Sequence, residues 1–395
     1  MTDIREPTVR PRILVLSFSK IERDPRVLRQ IGLLRGSADV VSCGYGGAPS
    51  GVTDHIEIPQ SLEPWRLNYK LVVSLSILRM YRRLYFGSGK VRYVRQRVSE
   101  GSFDVIIAND AIAAPLAFAL RPVKGVHVDL HEYAPRQGED RLRWRLLVGP
   151  FMDWACRRYV SKASSTSTVA KGIAREYNKV YGFPEPSFVP NAAPYESQLS
   201  PTPVESPLRI VHTGAAGRSR RVEVMIDAVA EANRQVPGTA TLDLVLVPGE
   251  KLYIAELIER ANAVPGEAIR VIPPVRFDQI VTLLHRYDVG LFICPPTTFN
   301  LKYALPNKLF EYIQARLAVI IGPSPEMEQV VISHGVGWVA EGFDAESTAN
   351  LLLRLTADEV SEKKRASHGA SKELGAETLS APWTDAVKAL LDRGQ

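Results

Sequence analysis

Glu311 and the turn that precedes it are the residues whose types and spacing most directly suggest chemistry. The stretch 300–322, NLKYALPNKLFEYIQARLAVIIG, reads as loop, short helix, turn and buried strand. Pro306 suits the first helical turn, where its missing N–H costs nothing. Leu309, Phe310, Ile313 and Leu317 recur at helical spacing and predict one apolar face, with Glu311 off that stripe. The start of such a helix offers free backbone N–H groups and the positive end of a dipole, a ready anion site. A carboxylate one turn further in can accept hydrogen bonds from two neighbouring hydroxyls, such as those of a ribose. Phosphate at the N–H groups and ribose at the carboxylate together describe a nucleotide. A second constellation is the loop 213–221, TGAAGRSRR. Its glycines, Gly214 among them, let backbone approach a phosphate, and Arg218 and Arg220 supply charge and a bidentate fork. A third is Asp129-Leu130-His131-Glu132, at the end of a short apolar run. His131 can donate to a sugar hydroxyl while a carboxylate holds its other nitrogen. The plain alternatives are an ordinary amphipathic helix, a solvated arginine cluster and a core histidine.

These groups need elements to position them, and the chain supplies strand–helix alternation twice. In the first half, Ile13–Leu16, Asp39–Ser42, Phe103–Ala108, Gly125–Leu130 and Ser164–Val169 read as strands. A helix between the first two has Val27, Leu28, Ile31 and Leu34 as its core face and Gly36 as its cap. Arg26 on that helix reads as a functional residue or, the commoner case for an arginine on a helix face, a solvated one. Residues 192–207 carry four prolines and several serines and read as a linker. Leu208–His212, Leu242–Val247, Ile269–Ile272, Asp288–Cys294 and Ala318–Ile321 then repeat the strand pattern, with helices at 278–287 and 347–355 and a last one over 386–391. The fold class is α/β, with two Rossmann-like domains facing a cleft, and functional residues in such sheets gather at the carboxyl ends of strands. The expected boundaries are 1–197, 198–378, and a terminal helix, 379–395, that returns to the first domain.

Within this frame the motif PNKLFEYIQARLAVI resembles the donor-site motif of GT-B glycosyltransferases, in particular the large retaining family 4 (glycosyltransferase group 1). The resemblance covers nearly the whole chain and is most specific at Asn307, Lys308, Leu309 and Glu311, then at His131-Glu132. It implies a nucleotide-sugar donor, transfer with retention and no metal. It assigns catalytic roles to His131, Arg220 and Glu311. Gly214, Arg218, Val275, Tyr303, Asn307, Lys308 and Leu309 join Arg220 and Glu311 in donor binding, and Ser19 and Glu132 lie on the acceptor side. Two positions depart from the family pattern: Tyr303 stands where the family has its first Glu, and Ala215 where it has an Arg.

Composition sets the remaining bounds. With 45% hydrophobic and 23% charged residues, the chain has the profile of a soluble globular protein. Its longest apolar run, near 71–78, is far short of the roughly 20 residues that span a bilayer. Cys43, Cys156 and Cys294 are scattered, which predicts reduced thiols and a cytoplasmic protein. No cofactor or metal is expected, because no cysteine pair has ligand spacing and His131-Glu132 lacks the second His of H-E-x-x-H. The stretch 65–97 carries nine cations and no acid, interleaved with Trp65, Tyr69, Tyr81, Tyr85, Phe86 and Tyr93. It predicts a basic helical surface suited to an anionic membrane and to a lipid-linked acceptor. A solvated basic face is the alternative, and no nucleic-acid motif accompanies the charge. A nucleotide-sugar epimerase of the same fold, or a non-catalytic binder of nucleotide sugars or membrane surfaces, would share these features.

Overall fold

Runs such as Ile13–Leu16 and Val105–Ala108 are apolar on both faces, as strands covered by helices on each side must be. In the computed structural model, which describes residues 10–62, 69–247 and 249–393, they lie at the centre of the first of two parallel sheets. The chain divides into two units, 1–189 with 381–395 and 190–380.

The first unit contains β1 (Arg12–Lys20), β2 (Asp39–Tyr45), β3 (Asp54–Glu57), β4 (Val105–Asn109), β5 (Gly125–Leu130), β6 (Ser165–Thr168) and β7 (Ser187–Phe188), in the order 3-2-1-4-5-6-7. Every neighbouring pair is parallel. The second contains β8 (Leu208–Ala215), β9 (Ala240–Val247), β10 (Ile269–Ile272), β11 (Val289–Phe292), β12 (Ala318–Ile321) and β13 (Gly337–Val339), in the order 10-9-8-11-12-13, again all parallel. Renumbered within its own unit, the second order is 3-2-1-4-5-6. Both sheets are therefore doubly wound, and each reverses its winding between its first and fourth strands. Ligands of such sheets bind outside the carboxyl ends of the strands at that reversal.

The helix Ala381–Leu391 belongs to the first unit. Trp383, Val387 and Leu390 are buried in the same core as Ile13, Val15, Val105 and Ile107, and Trp383 meets His127 edge-on at 5.9 Å. In the second unit Asp288 is fully buried between Arg209 at 2.8 Å and Lys364 at 2.9 Å, a paired charge that ties β11 to β8 and to the helix Ala357–Ala370. The three cysteines are buried and unpaired.

Several local expectations are corrected. The basic stretch is not one amphipathic helix but three short ones, Tyr69–Ile77, Tyr81–Phe86 and Gly89–Arg97, with Arg79 in the left-handed region at φ 52° between the first two. Tyr81 and Tyr85 are buried, and the Tyr85 hydroxyl donates to the Ile112 carbonyl at 2.7 Å, so they serve packing. Trp65 and Arg66 lie outside the described residues. Helix Pro25–Leu34 ends on Arg35 rather than on a left-handed Gly36, and Leu28 is only half-buried. The helix expected over 278–287 is a single helical turn, Phe277–Gln279, followed by Ile280–Leu284. Helices Lys251–Asn262, Pro325–Ser333 and Ala357–Ala370 had no counterpart in the sequence reading.

Candidate functional site

In the first unit the reversal of winding lies between β1 and β4, and a polar cluster sits at their carboxyl ends. Its centre is Asp129, fully buried near the end of β5. Arg26 grips both carboxylate oxygens at 2.5 Å and donates to the Val189 carbonyl at 2.8 Å. Arg26 is thus buried, not solvated as the sequence suggested, because it is the counter-charge that lets a carboxylate sit inside the core. Gln30 adds a bond to Asp129 at 2.6 Å and another to Asn109 at 3.0 Å, and Ser167 donates at 2.5 Å. Burial alone would raise the Asp129 pKa; the charge and hydrogen bonds of Arg26, with help from His131, hold it well below the usual carboxylate range.

His131 follows directly. Its Nε2 lies 3.7 Å from Asp129 and its Nδ1 3.5 Å from Asp110, and its backbone N–H donates to Asp110 at 3.2 Å. Burial would lower the imidazole pKa, but the two carboxylates outweigh it and raise the value above 6.5. Asp110 reaches this position from a left-handed backbone, φ 66°, just past β4. Such backbone is uncommon for a residue other than glycine, and Asp is one of the residues that tolerate it. The ring therefore lies between two acids, with its buried Nε2 facing Asp129 beyond hydrogen-bond distance. Ser19 lies nearby in sequence space only through β1; it donates to Asp24 at 2.8 Å, within the cap of the following helix. Glu132 is half-buried.

In the second unit the corresponding position is the end of β8 and β11, and helix Asn307–Gln314 presses against it. Residues Lys308 to Gln314 are all buried, so the helix has no solvent face and Glu311 is not on an exposed side. Pro306 is the residue before the helix rather than inside its first turn. The Tyr312 hydroxyl accepts from the Thr213 N–H at 3.3 Å and donates to the Leu291 carbonyl at 3.4 Å, which fixes the helix to both strands.

Four groups converge there. Gly214 has φ 149°, and a Cβ on it would fall 2.6 Å from the Lys308 ammonium, so the lysine head lies against this glycine. The same ammonium sits 4.5 Å over the Phe292 ring. His212 donates its Nδ1 proton to the Leu291 carbonyl at 2.9 Å, since a carbonyl can only accept. Its buried Nε2 is then an acceptor with no hydrogen-bond partner, and the Gly214 position lies 3.7 Å from it. Burial, then the Lys308 charge, pushes the imidazole down to about 3 and keeps it neutral. Burial and the charge of Arg220 push the Lys308 pKa down; burial pushes the Glu311 carboxyl up, against the attraction of Lys308. A buried ammonium, the buried carboxylate that attracts it and an unpartnered imidazole nitrogen together form a buried polar cluster at the ends of β8 and β11.

The two loop arginines separate clearly. Arg218 is exposed and engaged by acids, 2.5 Å from Glu256 and 3.8 Å from Glu250, with Tyr253 below it. Arg220 is half-buried and has no ion pair among the described residues, and its charge acts on Lys308, His212 and Cys294. Ala215 is exposed at the end of β8. Val275 is half-buried in the loop after β10, Tyr303 caps the short helix Phe299–Lys302 with its ring 4.9 Å from Phe299, Asn307 opens the buried helix, and Leu309 is core. The structure thus brings Gly214, Arg220, Lys308 and Glu311 together and sends Arg218 elsewhere. Sequence reasoning missed His212, Phe292, Asp110 and Gln30; only the position of each at a strand end or on the first helix could have pointed to them. Among the described residues no group of three or more His, Cys, Asp or Glu side chains is placed to hold a metal ion.

Residues 207–358, most of the second unit, match the family described as Glycosyl transferases group 1. No curated protein matches the chain. Solved structures of similar fold include HepE of Anabaena in complex with UDP-glucose, with a TM-score of 0.68 at 14% identity, covering 96% of this chain and 100% of that one. They also include trehalose-6-phosphate protein from E. coli bound with UDP-2-fluoro glucose, at 0.68, 11% identity, 95% and 98% coverage. A third is the α,α-trehalose 6-phosphate synthase of Burkholderia multivorans, at 0.68, 11% identity, 98% and 100% coverage. The architecture is that of GT-B glycosyltransferases, with two doubly wound units.

Proposed function

We propose that this chain, whose second unit matches the group 1 glycosyltransferases, transfers a sugar from a nucleoside-diphosphate sugar to an acceptor, with retention and without a metal. The observation that carries the reading is the floor of the second unit, where Lys308, Arg220 and Glu311 meet at the carboxyl ends of β8 and β11 against the start of a buried helix. Two cations and helix N–H groups suit a diphosphate, and a buried carboxylate suits ribose hydroxyls. UDP and UDP-glucose occupy similar folds in HepE of Anabaena, which supports a nucleotide-sugar donor here.

Transfer passes through an oxocarbenium-like centre while negative charge develops on the departing diphosphate. Arg220, Lys308 and the amides at 307–308 supply fixed positive potential for that charge, the term expected to dominate the rate. Gly214 admits the diphosphate to the lysine, because any side chain there would displace the ammonium. Glu311 orients the nucleoside. His131 contributes a hydrogen bond to the sugar through its Nδ1 N–H, on the side of the half-exposed Asp110, while its buried Nε2 faces Asp129. Tyr303 and Val275 complete the donor contacts in this reading.

For the acceptor, the reading is a lipid-linked precursor met at an anionic membrane surface. Lys70, Arg79, Arg82 and Arg83 are exposed beside the equally exposed Tyr69, Leu71, Ile77 and Leu78, the pairing of cations and apolar groups that holds a protein at an anionic interface. Among the described residues no helix is long and apolar enough to cross a membrane. The test of the donor half is a panel of nucleotide sugars assayed for release of free nucleoside diphosphate. Release with any of them supports a transferase; isomerised sugar without release would identify an epimerase instead, and binding without either would leave a binder.

A further inference from the structure

Beyond β5 the chain turns into a segment that the donor site does not use. The loop after His131 leads through Pro135 and Arg136 into a π-helical turn, Trp144–Val148, and then the helix Gly149–Arg158. Together with the junction between helices Tyr69–Ile77 and Tyr81–Phe86, these elements line an open depression of about 760 Å³. π-helical turns are uncommon and often accompany functional sites. Five arginines line this one and only two acids. Glu139 is taken by Arg136 and Asp153 by Arg157. Arg79, Arg145 and Arg158 remain, their guanidinium groups making no ion pair or hydrogen bond among the described residues. The wall between them is aromatic: Tyr81 and Trp154 lie 6.1 Å apart, with Phe151 stacked on Trp154 at 5.6 Å.

Exposed apolar side chains adjoin two of these arginines in the chain. Ile77 and Leu78, each 66% exposed, immediately precede Arg79, and Leu142 and Leu146, 61% and 64% exposed, flank Arg145. Four aliphatic side chains this exposed, each close in the chain to an arginine of the depression, are not explained by the packing of this unit. Arginine forks match phosphate oxygens, and exposed aliphatic side chains match hydrocarbon.

We propose that this depression binds the phosphate or diphosphate head of an amphiphilic acceptor, its arginines holding the head and these aliphatic side chains the first part of the chain. The proposal rests on the transferase reading for calling the ligand an acceptor. The shared chemistry is a phosphate ester on an apolar chain, either embedded in a bilayer or free in solution.

The test measures binding of inorganic pyrophosphate, farnesyl diphosphate and UDP to the full chain by calorimetry, with circular dichroism confirming that each variant is folded. Farnesyl diphosphate is expected to bind about tenfold or more tightly than pyrophosphate. Arg79→Ala, Arg145→Ala and Arg158→Ala should each weaken it about tenfold, whereas Arg35→Ala, which removes an exposed cation elsewhere in the unit, should not. Leu146→Ser with Ile77→Ser should reduce farnesyl diphosphate binding and spare pyrophosphate. In a second arm, neutral vesicles carrying a polyprenyl phosphate should sediment the protein better than vesicles carrying equal phosphatidylglycerol if the source is a membrane; soluble binding with no sedimentation places the ligand in solution. Equal sedimentation by both vesicles above the lipid-free background, equal affinity for the two diphosphates, equal loss in Arg35→Ala, or no farnesyl diphosphate binding would each overturn the proposal. UDP binding, read in parallel, reports on the donor site alone, so its loss or survival separates failure of the transferase reading from failure of this one.

Discussion

At the scale of the residue, the second unit holds charges that a folded protein ordinarily avoids burying without partners. Glu311 is 6% and Lys308 7% exposed, and neither side chain makes a hydrogen bond to the protein among the described residues. Glu311→Ala is therefore expected to weaken nucleoside-diphosphate binding by about 1.5–3 kcal/mol, the worth of hydrogen bonds to a charged group. Calorimetry with the folded variant checks it, and unchanged affinity would remove Glu311 from the donor site. Arg220→Ala should lower diphosphate affinity by about tenfold or more and Arg218→Ala far less, because the glutamates at 250 and 256 already engage Arg218. The reverse order would place the diphosphate on the other side of the loop. His131 gives a pH prediction. Its folded pKa is raised, so its contribution to stability is complete below about 6.5 and is lost as pH rises through the raised value. Asp110→Asn should shift the imidazole titration downward, as followed by NMR of its ring proton; an unmoved titration would show that Asp129 alone holds the ring. His131→Ala should cut transfer and leave nucleotide affinity nearly intact.

At the scale of the element, helix Asn307–Gln314 matters because it is buried all round. An isolated helix of this length would not persist in water, so packing against β8, β11 and β12 is what maintains it. Gly290 in β11 makes that packing close: a Cβ there would lie 2.3 Å from the Tyr312 ring. Gly290→Ala should destabilise the second unit by about 1–3 kcal/mol through overpacking, with nucleotide binding weakened because the helix carrying Lys308 and Glu311 must shift. Chemical denaturation measures the first effect and calorimetry the second; a variant of unchanged stability would mean the helix can retreat without cost. Two residues past the helix, Arg316 lies in the left-handed region at φ 64° and fully buried, with its guanidinium donating to the Gln314 carbonyl at 2.6 Å.

At the scale of the whole molecule, the chain returns to its first unit after completing the second. Trp383 is 2% exposed and shares a core with β1 and β4, more than 270 residues earlier in the chain. Trp383→Ala is expected to cost about 3–5 kcal/mol. Hydrogen exchange should show the loss of protection within the first-unit sheet, with the second-unit sheet unaffected. A uniform loss across both would mean that the units unfold as one.

The sequence by itself determined the strands, because a strand covered on both faces must be apolar along its length, and runs such as Ile13–Leu16 and Ala318–Ile321 allow no other reading. It also determined that His131 stands just past a strand end and Glu311 one turn into a helix, where open strand termini and the free amides of a helix start make chemistry available. Only the tertiary structure decided which charges are buried. Arg26 and Arg218 are both arginines near the start of a helix, and nothing local distinguishes them. One meets Asp129, which the chain brings from 103 positions away, and is drawn into the core; the other meets glutamates on a neighbouring surface helix and stays in water. Burial of a charge depends on a partner, and the partner is supplied by the strand order, which no local pattern encodes.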